Sequence, residues 1–485
     1  MKIEINDIEF KNNQYEIAVL LTYPKKETIL ILSKNLLSSE TYLEYNDQSN
    51  AVYDGITEVL IDGNILVINL NEEGIQKIGH KTIQVKLSLT KEDYTDFLEN
   101  MNFIFDKCLR LTDKPFVPSK SKSIDFSKIK YLNLDGKNLA LPPENLKHYV
   151  ALEKLFIRDN PTLDVNTTIT VLAKLPHLKQ LQLTITGNIP LDLSKLTALE
   201  SLHIEGDADF ETLPTDIGNL KKLNYIYLQS KKPIVLPPQF SNLTALEFLH
   251  VRSKTWKLPD NFYKLSHLKH LDLYNCNITV FPSEMSQMTH LETIILGTNL
   301  ERDDSKLFAV LGQLSALRTI EIYISSLPES ISDCIQIENL EIYGNDSQAQ
   351  KFYIPKSFVR LTQLQSLTLE NCIFDQLPEC LFDVVSLRQL QLTNCTFKEI
   401  PEQISKLEHL EEISIIDCTA FSDIHTAFSK LKSLRKIYFE NVPALQSLPT
   451  ELHNLTDIDE LYLSEYEKID NVPDHWIKIM NENGG

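Results

Sequence analysis

No phosphate-cradling glycine loop is written in this chain. Neither G-x-x-x-x-G-K-S/T nor G-x-G-x-x-G occurs, and 485 residues hold only 13 glycines. The backbone geometry by which nucleotide-binding loops approach a phosphate is therefore missing. H-E-x-x-H, G-x-S-x-G and C-x-x-C are absent as well, and with them the spacings of a zinc protease, a hydrolase nucleophile and a redox dithiol. The twelve histidines stand at no ligand spacing. These absences point away from an enzyme and leave no cofactor or metal to expect.

Positive charge is also in short supply. Lys and Arg number 47 against 67 Asp and Glu, for a net charge of -20. Residues 1–112 hold 18 acidic and 11 basic residues, the remainder 49 and 36, so no basic segment is hidden by averaging. Nucleic acid and anionic membrane are poor partners for such a surface. A basic protein partner fits it, although acidity is also ordinary in soluble proteins. No apolar run reaches membrane-spanning length, and Met1–Asp7 opens no signal-peptide core. The expected compartment is the cytoplasm, where the five N-x-T triplets mean nothing for glycosylation and the seven cysteines stay reduced. With 42% hydrophobic and 24% charged residues, the chain has the composition of a folded protein.

What the sequence does contain is repetition. Leu364, Leu367, Leu369 and Cys372 precede Leu377-Pro378 and Leu381; Leu387, Leu390, Leu392 and Cys395 precede Ile400-Pro401, Ile404 and Leu407; Leu410, Ile413, Ile415 and Cys418 open a third copy. The steps from Leu364 to Leu387 to Leu410 are 23 residues each, a period that marks a stacked solenoid. Within L-x-x-L-x-L the last two apolar residues are two apart and share one face of a strand. The L-P-x-x-I-x-x-L part has apolar spacings of three to four, which suit a helical turn. Proline fits an early helical position, whose N–H needs no partner within the helix. One coil cannot bury its own apolar face, so neighbours must.

The first apolar residues of fifteen copies fall at Ile129, Leu152, Leu178, Leu199, Leu223, Leu246, Leu268, Leu291, Leu317, Ile337, Leu364, Leu387, Leu410, Leu434 and Ile458. The spelling resembles the leucine-rich repeat in its short intracellular form. The fold expected over 124–470 is thus an α/β leucine-rich-repeat solenoid, with parallel strands on a concave face and short helical turns on the convex face. Two steps of 26 residues, after Leu152 and Leu291, and one of 27 after Ile337 are the long copies. The inserts Glu301–Ser305 and Asn345–Gln350 are expected to form loops on one flank. Cys276, Cys372, Cys395 and Cys418 share one repeat position, and Cys334 and Cys380 sit in helical halves, so all six read as structural thiols. Residues 471–485 read as a C-terminal cap and tail, with Trp476 and Met480 suited to cover the last coil.

Residues 1–112 lack the repeat. Strand-like runs appear at about 15–23, 28–33, 41–46, 56–61, 65–70 and 82–89, with a hairpin at Asp62-Gly63-Asn64 and a helix from Thr90 through Ile104. This is a small α+β domain, mostly antiparallel, joined to the array by a proline-containing linker at 113–123. The order Thr41-Tyr42-Leu43-Glu44-Tyr45-Asn46-Asp47-Gln48, Tyr53-Asp54-Gly55-Ile56-Thr57-Glu58-Val59, the hairpin, Val67-Ile68-Asn69-Leu70 and Ile83-Gln84-Val85 resembles the bacterial polymorphic-toxin immunity family numbered ten. That resemblance implies a cytoplasmic protein that binds and silences a toxin. A long repeat array departs from the family's pattern, which leaves open which part would do the neutralising.

The remaining candidate for function is the concave face. Its middle column reads Asn133, Phe156, Gln182, His203, Tyr227, His250, Asp272, Ile295, Glu321, Glu341, Thr368, Gln391, Ser414, Tyr438 and Tyr462. With adjacent columns, Tyr225, Tyr227, Phe248, His250, Arg252, His270 and Tyr274 gather on three consecutive coils. Aromatic residues and Arg are the types enriched at binding hot spots, and rings also stack along a parallel sheet for stability. A second patch, Glu321, Tyr323, Glu341, Tyr343 and Glu370, is either a binding surface or a solvated face. The expected function is non-enzymatic recognition of a protein, a bacterial toxin on the immunity resemblance. The alternative is a general repeat scaffold or host-directed effector. A repeat protein carrying a ubiquitin-ligase domain would need a sizeable further domain with a nucleophilic cysteine, and only a short tail follows the array.

Overall fold

Strands of the repeat region bury alternate residues, as at Ser366–Glu370, where Leu367 and Leu369 are buried and the residues between are half-exposed. Alternation fixes the register, because a slip of one residue would expose every leucine. The computed structural model describes residues 126–482 except 186–192, 207–211, 255, 277, 298–300 and 345–349, and, before residue 126, the strands between Lys2 and Leu111 together with Glu72. Its fifteen-stranded parallel sheet runs from Tyr131–Asn133 to Glu460–Leu463, one strand for each copy. Leu340, Leu367, Leu390 and Ile413 pair in succession as one uninterrupted interior row.

The opposite side of each coil is built mostly from short 3₁₀ turns. Proline usually stands one residue before the turn, in extended conformation, as Pro328, Pro355 and Pro401 do, while Pro238 opens its turn. Its carbonyl accepts the turn's closing bond, as in Leu381 N–H to Pro378 O at 3.0 Å. Missing an N–H is still harmless there, so the reason anticipated from sequence holds at a position shifted by one.

Two of the long copies are helical, and one of them replaces an expected loop. The 26-residue steps after Leu152 and Leu291 each carry an eight-residue α-helix, Val165–Leu172 and Asp304–Leu311. Asp164 and Asp303 cap them by accepting the backbone N–H of Thr167 and Lys306, each at 3.1 Å. The insert Glu301–Ser305 is therefore a helix entrance. The insert after Ile337 falls largely outside the described residues.

The shared cysteine position links coils through buried hydrogen bonds. Cys276 donates to Val251 O at 3.2 Å, Cys395 to Leu369 O at 3.3 Å and Cys418 to Leu392 O at 3.5 Å, each a carbonyl of the preceding coil. Asn160 does the same work at this place, donating to Leu134 O and accepting from Leu139 N–H, both at 2.9 Å. At the far end, the helix Asp474–Glu482 lays a fully buried Trp476 against the last coil, its indole N–H on Leu455 O at 3.2 Å.

The chain divides into two units, Met1–Asp125 and Phe126–Gly485. In the first unit the described strands form two five-stranded sheets. Asp7–Asn12, Glu16–Thr22, Ile29–Asn35, Thr41–Tyr45 and Asp47–Tyr53 make an antiparallel meander. In the other sheet Ile56–Asp62 pairs antiparallel with Ile65–Leu70, with Asp62 opposite Ile65, which is the hairpin read from sequence. Lys2–Ile5 and Leu109–Leu111 join that sheet in parallel, and neither was anticipated. Asp7–Asn12 and Asp47–Tyr53 were also missed, the latter because Asp47, Gln48, Ser49 and Asn50 disguise a strand. The helix at 90–104 and the linker at 113–123 lie outside the described residues.

Candidate functional site

The fifteen residues assigned to the middle column form a single register row from Asn133 to Tyr462. Within it, Tyr227 lies opposite His250 and His250 opposite Asp272. In the adjacent row Tyr225, Phe248 and His270 stand side by side. The rings touch as a field. His203 stacks on Tyr227 at 4.2 Å, Tyr225 lies 5.4 Å from His250, and His250 lies 4.7 Å from His270.

Asp272 organises this field, although sequence reading placed it only in the column. It is 3% exposed, and it accepts the Tyr274 backbone N–H at 2.9 Å. Its other oxygen meets His250 Nδ1 at 3.2 Å and Arg252 Nη2 at 3.6 Å. Burial pushes the Asp272 carboxyl up, but the hydrogen bonds from His250 and the Tyr274 amide, with the nearby His250 and Arg252 charges, outweigh it and hold the pKa below its ordinary value. Arg252 spreads over the Tyr274 ring at 5.5 Å, a cation–π contact. Burial first, and then the neighbouring His250, lower the His270 pKa against the pull of Asp272, which favours the neutral imidazole. Burial raises the Tyr225 and Tyr227 hydroxyls, so both remain hydrogen-bond donors at neutral pH.

Glu321 pairs with Glu341 in register, and Tyr323 with Tyr343. The two tyrosine rings stack at 4.4 Å and 8°. Tyr343 donates to Glu341 at 3.1 Å, while Glu370 continues the tyrosine row on the next coil. Burial, and next the charges of Glu341 and Asp272, push the Glu321 carboxyl up to about 7, with Arg252 opposing.

The structure joins the two patches that sequence treated separately. Between Tyr274 and Tyr323 the intervening coil offers Gly297, which has no side chain, and the Tyr323 hydroxyl donates to the Tyr274 hydroxyl at 3.2 Å. A Cβ on Gly297 would fall 1.5 Å from the Tyr274 carbonyl oxygen, so the coils approach this closely only at glycine. Arg302 fastens the gap from below. Its side chain is 2% exposed, and it donates to Gly297 O at 3.0 Å, Tyr323 O at 3.2 Å and Asp304 Oδ1 at 2.6 Å. An arginine inside a polar insert gave no sign of this role. Nor did Gly297 announce it, as one glycine in a row that also holds Arg252, Glu370 and Thr393.

Residues 211–384 match the family described as a leucine-rich repeat region. A leucine-rich repeat protein of Leptospira interrogans superposes with a TM-score of 0.54 at 20% identity, over 75% of this chain and 98% of its own. The solenoid is a leucine-rich-repeat fold. Among curated proteins, 209 residues are 26% identical to an Arabidopsis thaliana protein whose name assigns it to disease resistance, covering 39% of this chain and 22% of that one. A stretch of 265 residues is 24% identical to the volume-regulated anion channel subunit LRRC8E of Xenopus tropicalis, covering 53% and 30%. The match thus spans under a third of either relative.

The leucine-rich repeats carry their thiols as structure. Burial pushes Cys276, Cys334 and Cys418 up to about 12, which keeps each an S–H donor and not a nucleophile. Among the described residues no three His, Cys, Asp or Glu side chains gather as a metal set, and no helix is long and apolar enough to cross a membrane.

Proposed function

We infer that this chain is a non-enzymatic recognition protein that grips another protein across the outer strand face of its leucine-rich repeats. The ring field around Asp272 carries the reading. It concentrates Tyr, Phe, His and Arg on consecutive coils, and Phe248 remains 40% exposed there, where a purely structural stack would bury it. Rigid strands position these side chains, so little freedom is lost when a partner arrives. The resemblance of residues 1–112 to immunity family ten supports a finer reading: the partner is a bacterial toxin, neutralised in the cytoplasm.

The test uses the full chain and the toxin candidate encoded beside its gene. Tyr227→Ala and Phe248→Ala are each expected to weaken binding in a titration by about tenfold or more, the size of a hot-spot truncation, with thermal unfolding little changed. Unaltered affinity in both removes the outer face from the interface. Growth of cells expressing the toxin should be restored by the full chain; continued arrest removes the toxin reading.

A further inference from the structure

With the acid in the middle column, the pattern acid-x-tyrosine occurs on three coils of this face, as Asp272-Leu273-Tyr274, Glu321-Ile322-Tyr323 and Glu341-Ile342-Tyr343. The first is answered from within the chain. The preceding coil supplies Arg252, whose guanidinium stands 3.6 Å from the carboxylate and 5.5 Å from the ring centre. At the second, the residue in register with Arg252 on the preceding coil is Gly297, which brings no charge. Glu321 forms no hydrogen bond or ion pair among the described residues. Its register neighbour is a second carboxylate, Glu341. Arg252 is already engaged by Asp272.

We propose that Tyr323, Tyr343, Glu321 and Glu341 are the recognition site for an arginine side chain displayed by the protein partner. This deepens the reading given under Proposed function and rests on it. A guanidinium is the group that pairs with a carboxylate and lies against an aromatic ring at the same time. Arg252 already does both one site away on the same face. Two facing carboxylates on half-buried strands repel each other, and an incoming cation removes that repulsion. Burial, and then the charges of Glu341 and Asp272, raise the Glu321 pKa more than Arg252 lowers it, so nearby negative charge exceeds positive.

The test titrates the full chain with acetyl-Gly-Arg-Gly-amide and with its citrulline counterpart, followed by saturation-transfer NMR. The arginine peptide should bind saturably, and citrulline, equal in shape but uncharged, at least tenfold more weakly. Glu321→Gln and Tyr343→Ala should each reduce arginine-peptide binding by about tenfold, and Val359→Ala, exposed in the turn Lys356–Arg360 and outside the strand face, should leave it unchanged. No saturable binding, equal binding of the two peptides, or no loss in Glu321→Gln overturns the proposal. Circular dichroism melts on each variant exclude unfolding as the cause of a loss. The two readings fail separately: a Phe248→Ala chain that loses the protein partner keeps the outer-face reading, even where the peptide result has removed the arginine site.

Discussion

Glu321 shows how the register of a parallel sheet turns sequence into electrostatics. Each coil adds one residue to the row, so two glutamates at equivalent repeat positions must stand on neighbouring strands. A carboxylate half-removed from water beside another one holds its proton longer, which is why Glu321 rises from the ordinary 4.5 to about 7. Replacing the neighbour should reverse part of this: in Glu341→Gln the Glu321 pKa, followed by carbon-detected NMR, is expected to fall while staying above the ordinary carboxylate value, because burial is the larger cause. Stability follows with a definite sign. A raised folded-state pKa means the native state binds the extra proton, so the contribution of Glu321 is complete below about 4.5 and is lost as pH rises through about 7. Urea midpoints should therefore decline between pH 5 and pH 8, and Glu321→Gln should flatten part of that decline. An unchanged slope would show that Glu321 ionises like a free carboxyl.

At the scale of elements, the strands were legible and the helical halves only partly so. Period-2 burial within a 23-residue step determines both where a strand lies and which way its side chains face, so the whole outer row from Asn133 to Tyr462 could be written from spacing. The 26-residue copies were harder, because extra polar residues read as a loop. The deciding signals were present but local: Asp303 three residues before the donating amide of Lys306, then Leu307, Phe308, Val310 and Leu311 at helical spacing. The union of the two patches was not legible at all. It depends on Gly297 contributing nothing and on Arg302 folding back beneath it, and neither a missing side chain nor a buried cation shows in a pattern of apolar residues. Asp303→Ala tests the helix entrance. Loss of an N-cap costs about 1 kcal/mol, and because Arg302 and Asp304 are tied to the same turn, equilibrium unfolding should register at least that; Ser at 303, another good cap, should restore most of it. Equal stability of the alanine and serine variants would mean that the cap bond at Asp303 carries no weight.

On the scale of the repeat array, stability is a chain of nearest-neighbour terms, and the last term is unlike the others. An interior strand such as Gln389–Thr393 is paired on both sides, whereas Glu460–Leu463, among the described residues, has a strand partner on one side only. Trp476 takes over there, fully buried and hydrogen-bonded to Leu455 O, so one side chain stands in for a missing coil. Truncating a buried Trp to Ala costs about 3–5 kcal/mol, and in a linear array that cost is felt from the end inward. Hydrogen exchange on Trp476→Ala should therefore show faster amides in Glu460–Leu463, a smaller change in Lys436–Glu440, and none by Ser366–Glu370. A uniform acceleration along all fifteen strands would instead mean that the array opens as one unit, with coupling between coils too strong for its ends to fray. The graded outcome also bears on binding: Tyr225 to Tyr343 lie far inside the row, so the variant should lose its end without losing its grip on a partner.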